Sequence, residues 1–382
     1  MSKILLAVTD ISRIGGMASH LYTVSSELRN RGWEVHCVAT NTRGDYFDEM
    51  SKVNACYDLS SVSLSPKKVF MAADLANSIL PDVILANNCA LMQYAFPLVN
   101  PSVKPISVLH SDDPRFYAIA ALFPERVFRW ISPAAGVAER FHRFIDEHLH
   151  GRIRVIPHGV NRGQFFPKGA KLDPAPFRIL FVGFLGESKG ADLLPDIFEK
   201  IATAIPDALL TIVGDGPLRR SLQAEFEKRG LHNKILFCGT TSTDQTAELM
   251  RTSHVLLLPT NIEGFGIVIV EAMMCGVVPV VSRLNGITDQ LVQQDKTGLL
   301  VSPKDVNGFA EAVKKIHDDN NLYQTMSINA RKMASERFSH ERMADRYESL
   351  FTEPDDRNRK GKKSLPGWYM ETAVQFLRKR MR

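Results

Sequence analysis

At 382 residues the chain is too long for one ordinary core of about 100 to 200 residues, so two domains are expected. Its 45% hydrophobic content, with no unbroken run of about 18 apolar residues, predicts a globular protein without a spanning helix. The net charge of +5 is unevenly placed: residues 357–382 hold nine Lys or Arg against one Glu, or +8, leaving −3 on residues 1–356. A nucleic-acid protein would spread that charge over a folded face, and no nucleic-acid motif accompanies it, so no such partner is expected. The five scattered cysteines form no C-x-x-C pair and predict reduced, mostly buried thiols, and residues 3–8 are too short for a signal-peptide core. The expected compartment is the cytoplasm.

Residues 3–9 are predicted as an apolar strand, followed by a loop with Gly15-Gly16, an amphipathic helix over 18–30 and a second strand over 33–39. A glycine pair after a first strand lets backbone approach a ligand, and is equally an ordinary turn. Residues 82–86 and 105–109 read as further parallel strands, each followed by polar residues: Asn87-Asn88 and His110 to Asp113. Ligands of open α/β sheets bind beyond the C-terminal strand ends, which places His110 well. Asp112 and Asp113 lack a distant partner set and no D-x-D triplet occurs, so no metal site is expected. Strands at 130–133 and 153–157, with a helix between them through Phe144, close a first domain over residues 1–167.

Gly169, Pro174 and Pro176 mark a linker over 168–176. A second domain over 177–338 opens with a strand to Gly183, then Lys189-Gly190 and a helix to Ile205. Strands recur at 209–213, 235–238, 255–258 and 277–281, and helices at 307–316 and 322–336 close the domain. Alternating strands and helices imply a parallel sheet covered on both faces. Residues 339–382 hold a terminal helix, a polar stretch and the basic tail. There Trp368, Tyr369, Val374, Phe376 and Leu377 beside Arg378-Lys379-Arg380 fit two structures equally, an interfacial helix on an anionic membrane or a helix docked on the first domain.

The most informative stretch is Glu263-Gly-Phe-Gly-Ile-Val-Ile-Val-Glu271. It lies between two apolar strands whose parallel pairing requires a crossover, and residues 265–275 are its only candidate, so helix is predicted despite the β-branched Ile267 to Val270. Gly264 and Gly266 leave backbone amides open at that helix's N-terminus, where the dipole favours phosphate. Glu271 sits about one turn further in, on an apolar helix, where an unpaired carboxylate would cost several kcal/mol, so its oxygens call for donors such as ribose hydroxyls. Glu263, just ahead of the helix, faces whatever the phosphate carries.

These residues, in E-G-F-G-x-x-x-x-E-A-M-x-C-G-x-P-V-V, resemble the signature of retaining, nucleotide-sugar-dependent glycosyltransferases of the family 4 type, which have two Rossmann-like domains in the GT-B arrangement. The resemblance extends through Val182-Gly183, Lys189-Gly190, Val213-Gly214-Asp215-Gly216-Pro217, Lys296-Thr297-Gly298-Leu299-Leu300 and His158-Gly-Val-Asn161, and covers most of the chain. It implies a terminal helix crossing back to the first domain. Gly15 and Gly16 are then expected near the donor, Lys189 on its diphosphate with Gly214 and the Gly264, Phe265, Gly266, Ile267 and Val268 turn, and Glu271 on its ribose. Glu263 and His110 are expected to orient the donor sugar as the catalytic pair. The family normally places Arg after Gly183; here it is Phe184, and Arg13 or Arg283 is a candidate substitute.

The expected function is therefore transfer of a sugar, with retention and without a metal or other cofactor, from a nucleotide-diphosphate donor to a hydroxyl of a glycan or lipid-linked acceptor. Cell-surface polysaccharide or glycolipid synthesis is the expected setting, with the inner membrane face as a peripheral location if the tail binds lipid. The alternatives are a weak or silent sugar-nucleotide-binding protein and an epimerase or phosphorylase on the same fold. A dinucleotide oxidoreductase is disfavoured because no G-x-G-x-x-G follows the first strand.

Overall fold

The computed structural model describes residues 1–12, 15–63, 65–167 and 176–357. The first sheet contains β1 (Lys3–Val8), β2 (Glu34–Ala39), β3 (Ala55–Asp58), β4 (Val83–Asn87), β5 (Lys104–Val108), β6 (Arg129–Ser132) and β7 (Ile153–Val155), in the order β3-β2-β1-β4-β5-β6-β7. The second contains β8 (Arg178–Val182), β9 (Leu209–Val213), β10 (Ile235–Gly239), β11 (Val255–Leu258), β12 (Val278–Ser282) and β13 (Leu299–Val301), in the order β10-β9-β8-β11-β12-β13. Every pairing is parallel. Central strands covered on both faces must be apolar on both, and Ile4 to Val8 and Val255 to Leu258 are accordingly inaccessible. Two Rossmann-like units face one another across a cleft, as the GT-B resemblance implied.

Strand order reverses direction between β1 and β4 in one sheet and between β8 and β11 in the other. Crevices open at such points beyond the strand ends. The loops found there carry Gly15-Gly16, Asn87-Asn88, Gly183 to Lys189 and Thr260 to Glu263.

The helix between β11 and β12 spans Ile267–Met274. Its β-branched residues yield to the parallel register Val255↔Val278, which leaves no other crossover. The strands β3 and β13 and several helices, Pro66–Ile79, Arg219–Lys228 and Thr243–Arg251 among them, are not among the elements expected from the sequence. Both strands are short, and Ala55 and Asp58 of β3 are exposed, so neither carries a long apolar signal. The helix expected through Phe144 stops at Phe141, continuing as the 3-10 turn His142–Phe144.

The His340–Thr352 helix returns to the first unit, burying Met343, Tyr347, Leu350 and Phe351 against the core that contains Leu21, Val24 and Phe128. Arg31 pairs with Asp345 and Glu348, both at 2.7 Å. Beyond the helix, the buried Arg129 holds Glu353 at 2.7 Å and Asp356 at 2.8 Å. The outgoing and returning chains run side by side, with the Val160 amide donating to Phe338 O and the His340 amide to Val160 O. The aromatic and basic tail segment of residues 368–380, like most of the expected linker, lies outside the described residues.

Candidate active site

A cavity of about 550 Å³ lies between the units. Gly15, Gly16 and Ser19 line it from the first unit, and Gly183, Phe184, Lys189, Gly214, Asp215, Glu263, Gly266, Ile267, Val268 and Glu271 from the second. Gly266 has φ 93°, a left-handed conformation natural to glycine, and it opens the Ile267–Met274 helix with no side chain capping its first amides. Those amides and the positive end of the helix dipole face the cleft. A Cβ on Gly214 (φ +127°) would lie 1.9 Å from Gly183 O, so this wall has room for backbone alone.

Glu271 is buried in the second turn of that helix. Among the described residues its carboxylate takes one hydrogen bond, which crosses between the units from Ser19 Oγ to Oε1 at 3.2 Å. Burial drives its pKa up to about 7, with the Ser19 hydroxyl pulling the other way. No lysine or arginine pairs with it among the described residues. Glu263 is also buried, but its Oε1 takes the Lys189 ammonium at 2.6 Å. Lys189 is the only basic residue lining the cavity among the described residues.

Phe184 stands 55% exposed on the cleft wall, where the family resemblance calls for a cation. Of the two candidate substitutes, Arg283 is exposed and does not line the cavity, and Arg13 lies outside the described residues.

Three expected site residues lie at the junction of the units and do not line the cavity. His110 turns its ring inward, with Nε2 2.9 Å from Asn87 Oδ1. It packs against His20 and His158 at centroid distances of 4.9 and 5.0 Å, and His20 and His158 are 4.2 Å apart. Burial pushes the His110 pKa down to about 3 and those of His20 and His158 far below the ordinary value, so all three rings are neutral. The Nδ1 atoms of His20 and His158 have no hydrogen-bond partner among the described residues. Gly264 backs onto His110 so closely that a Cβ would lie 2.1 Å from His110 O. Phe265 is buried between His158 and Phe338, at 5.3 and 5.8 Å. The close backbone approach of the units explains why these residues are glycine and an aromatic ring.

Ser19, Phe165, Thr240, Thr241, Thr243 and Thr246 also line the cavity and were not anticipated. Ser19 lies one turn beyond the Gly15-Gly16 pair, and the threonines cluster just past β10, so both were open to a reading based on strand ends. His20 was not, because only the fold brings it to His110 and His158. Asp112 is committed to the Tyr117 hydroxyl and Arg140, and Asp113 caps the Pro114–Ala120 helix and pairs with Arg115.

Residues 14–164 match the family described as Glycosyltransferase Family 4, and residues 164–333 match Glycosyl transferases group 1. The chain is 24% identical to the N-acetyl-alpha-D-glucosaminyl L-malate synthase of Bacillus anthracis over 94% of its own length and 100% of that protein. It is 28% identical to the alpha-D-kanosaminyltransferase of Streptomyces kanamyceticus, over 48% of this chain and 47% of the other. Among solved structures, the sucrose-phosphate synthase of Thermosynechococcus elongatus superimposes with a TM-score of 0.78 at 22% identity, covering 92% of this chain and 98% of that one. Anabaena HepE in complex with UDP and glucose also gives 0.78, at 20% identity, with coverage of 91% and 99%. With the two family matches adjoining at residue 164 and the GT-B architecture in place, the chain belongs to the family 4 type glycosyltransferases.

Proposed function

We propose that this glycosyltransferase moves a sugar from a nucleoside-diphosphate donor to a hydroxyl acceptor with retention at the anomeric carbon. The observation that carries the reading is Glu271, a buried carboxylate facing the cleft with one weak donor, one turn from the uncapped helix end. Ribose hydroxyls would supply the missing donors while the diphosphate lies on the Ile267 and Val268 amides. A related fold, Anabaena HepE, was captured with UDP and glucose, and the named relatives transfer N-acetylglucosaminyl and kanosaminyl groups.

In this reading Lys189 leaves Glu263 for the diphosphate, and Glu263 takes hydroxyls of the donor sugar. The bond from the anomeric carbon to the diphosphate oxygen breaks as the acceptor oxygen attacks from the same face, and the acceptor proton passes to the leaving phosphate. The amides and Lys189 carry the developing charge, so no metal is assigned a role. His110 acts through its place behind Gly264, holding the turn that carries Glu263. Closure of the units would exclude water, which competes with the acceptor.

Residues 1–167 would hold the acceptor side, 177–338 the donor side, and 339–382 the crossover and tail. A glycan or lipid-linked acceptor, and work at the inner membrane face in cell-surface polysaccharide or glycolipid synthesis, complete the proposal. No helix among the described residues is long and apolar enough to cross a membrane. A second reading, a weak or silent binder, is favoured by Phe184 alone.

The test is a thermal-shift screen of UDP-, GDP- and ADP-sugars on the wild type and Glu271→Gln. A bound ligand raises the melting temperature with the logarithm of its concentration. Stabilisation by one nucleotide series in the wild type and its loss in Glu271→Gln is expected; equal shifts in both proteins overturn the ribose assignment.

A further inference from the structure

The register of the first sheet sets two cysteines side by side. Cys37 of β2 lies opposite Cys56 of β3 in a parallel pairing. Opposed residues of neighbouring strands point to the same face, and both side chains pack into the cluster that contains Leu21, Val24 and Met50. Neighbouring strands run about 4.8 Å apart and a disulfide spans Cα atoms roughly 4.4 to 6.8 Å apart, so a bond can form with the strands still paired. Both thiols are free, and a hydrogen bond joins them.

The two sulfurs differ in surroundings. Cys37 is inaccessible, whereas Cys56 is half-buried on a four-residue edge strand that pairs with β2 alone. The contact with Cys37 holds the Cys56 thiol below the ordinary thiol value, with partial burial opposing it and a hydrogen bond from Ser51 assisting. The same contact raises Cys37, and burial raises it further. Cys56 is therefore the nucleophile of the pair and Cys37 the partner that resolves it. The other three cysteines stand apart from one another, each with its thiol raised by burial.

The chain between these strands reaches the donor wall. The Asn41 and Thr42 amides donate to Thr9 O, and the Tyr46 amide donates to Ile11 O. Gly44 approaches so closely that a Cβ would lie 2.3 Å from Ile11 O. Thr9 and Ile11 open the loop that leads to Gly15 and Gly16, both of which line the cavity.

We propose that Cys37 and Cys56 are a redox-modifiable dithiol, which closes to an intrachain disulfide by exchange with a low-molecular-weight disulfide and stiffens residues 40–54 against the loop leading to Gly15-Gly16. The Cys56 thiolate attacks one sulfur of the small disulfide, forming a mixed disulfide and expelling one small thiolate. Cys37, giving up its proton, then attacks Cys56 Sγ and expels the second. The protein loses two electrons and two protons, and both small thiols leave protonated and reduced. In reducing compartments disulfides of this kind are transient sensors, and a half-exposed one at a sheet edge is open to reduction.

The test incubates the reduced full-length wild type, Cys37→Ala and Cys56→Ser with excess glutathione disulfide at neutral pH, followed by intact mass and peptide mapping. The wild type is expected to lose two hydrogen atoms, to yield a Cys37–Cys56 cross-link, and to return to the dithiol in excess reduced glutathione. Cys37→Ala should stop at one glutathione on Cys56, and Cys56→Ser should react roughly tenfold more slowly or less, because its remaining thiols are buried. Amide hydrogen exchange over residues 40–54 should slow in the oxidised wild type. The wild-type map needs no variant to fold, so it decides the chemistry by itself. A wild type that keeps glutathione on Cys56 without cross-linking, cross-links only in denaturant, or reacts as readily at Cys238 overturns the proposal, as does unchanged exchange over residues 40–54 after oxidation.

Discussion

Lys189 Nζ lies 2.6 Å from Glu263 Oε1, so the cleft's one described cation is tied to one of its three carboxylates before any donor arrives. Diphosphate binding must break that pair. Glu263→Gln is expected to bind the nucleoside diphosphate more tightly, by a few-fold, while losing turnover, because a charge-assisted bond of about 1.5 to 3 kcal/mol no longer competes for Lys189. Lys189→Ala should lose both, and Phe184→Arg in that background should restore part of the binding. Calorimetry with the free nucleotide reads all three. Weaker binding by Glu263→Gln, or near-normal turnover of Lys189→Ala, would place the diphosphate elsewhere.

Glu271 gives a pH signature. Its pKa, raised to about 7 by burial, means that the free protein carries it partly protonated at pH 6.5, whereas ribose donors favour the ionised form. Nucleotide binding should release protons near pH 6.5, and this release should be absent in Glu271→Gln; calorimetry in two buffers of different ionisation enthalpy measures it. For stability the sign is the reverse of an ordinary paired carboxylate. The folded state holds the proton more tightly, so the cost appears as pH rises from 4.5 and is complete above 7. Glu271→Gln should therefore stabilise the ligand-free protein at pH 8 by roughly 2 to 4 kcal/mol.

The three imidazoles act at the other end of the scale. With His110 near 3 and its neighbours also depressed, the unfolded chain takes up protons below about 6.5 that the folded chain refuses. Stability should be full above that pH and fall steadily toward pH 4. Urea midpoints at pH 7.5 and 5.0 measure the slope, and His158→Asn should flatten it. An unchanged slope would mean that the rings ionise freely in the folded protein.

Much of the donor wall could be read from the chain because the relevant signals are local. Gly266 and Glu271 stand on one helix, and an apolar helix makes a carboxylate conspicuous. Gly183, Lys189 and Gly214 follow strands long enough to recognise. His110 was recognised as a strand-end residue, yet its ring direction depends on Asn87, His20 and His158, which lie on separate elements. Gly264 points to the ligand by its place ahead of the helix and Phe265 by the motif, yet the contacts that occupy them come from His110 and His158 of the other unit and from Phe338. The edge strands β3 and β13 escaped notice because short strands carry little periodicity.

The crossover offers a further measurement. Ending the chain after Arg357 should leave the fold intact, whereas ending it after Thr352 removes Glu353 and Asp356 and strands the buried Arg129. Breaking a buried pair in this way costs about 3 to 5 kcal/mol, which chemical unfolding resolves. If the two truncations have the same stability, the strap is an adornment of the surface. The truncation after Arg357 also tests the tail, since loss of binding to anionic vesicles there would assign lipid contact to the residues beyond 357.

The return of the His340–Thr352 helix also sets an order of events during synthesis. The first unit leaves the ribosome with the surface destined for Tyr347, Leu350 and Phe351 uncovered, and it stays so while the whole second unit is made. A translating chain must shield that surface for the time needed to add the intervening residues, at about 5 to 20 per second. The half that begins first is thus completed last, and a gene cut at the connector would yield a first half lacking a wall of its own core.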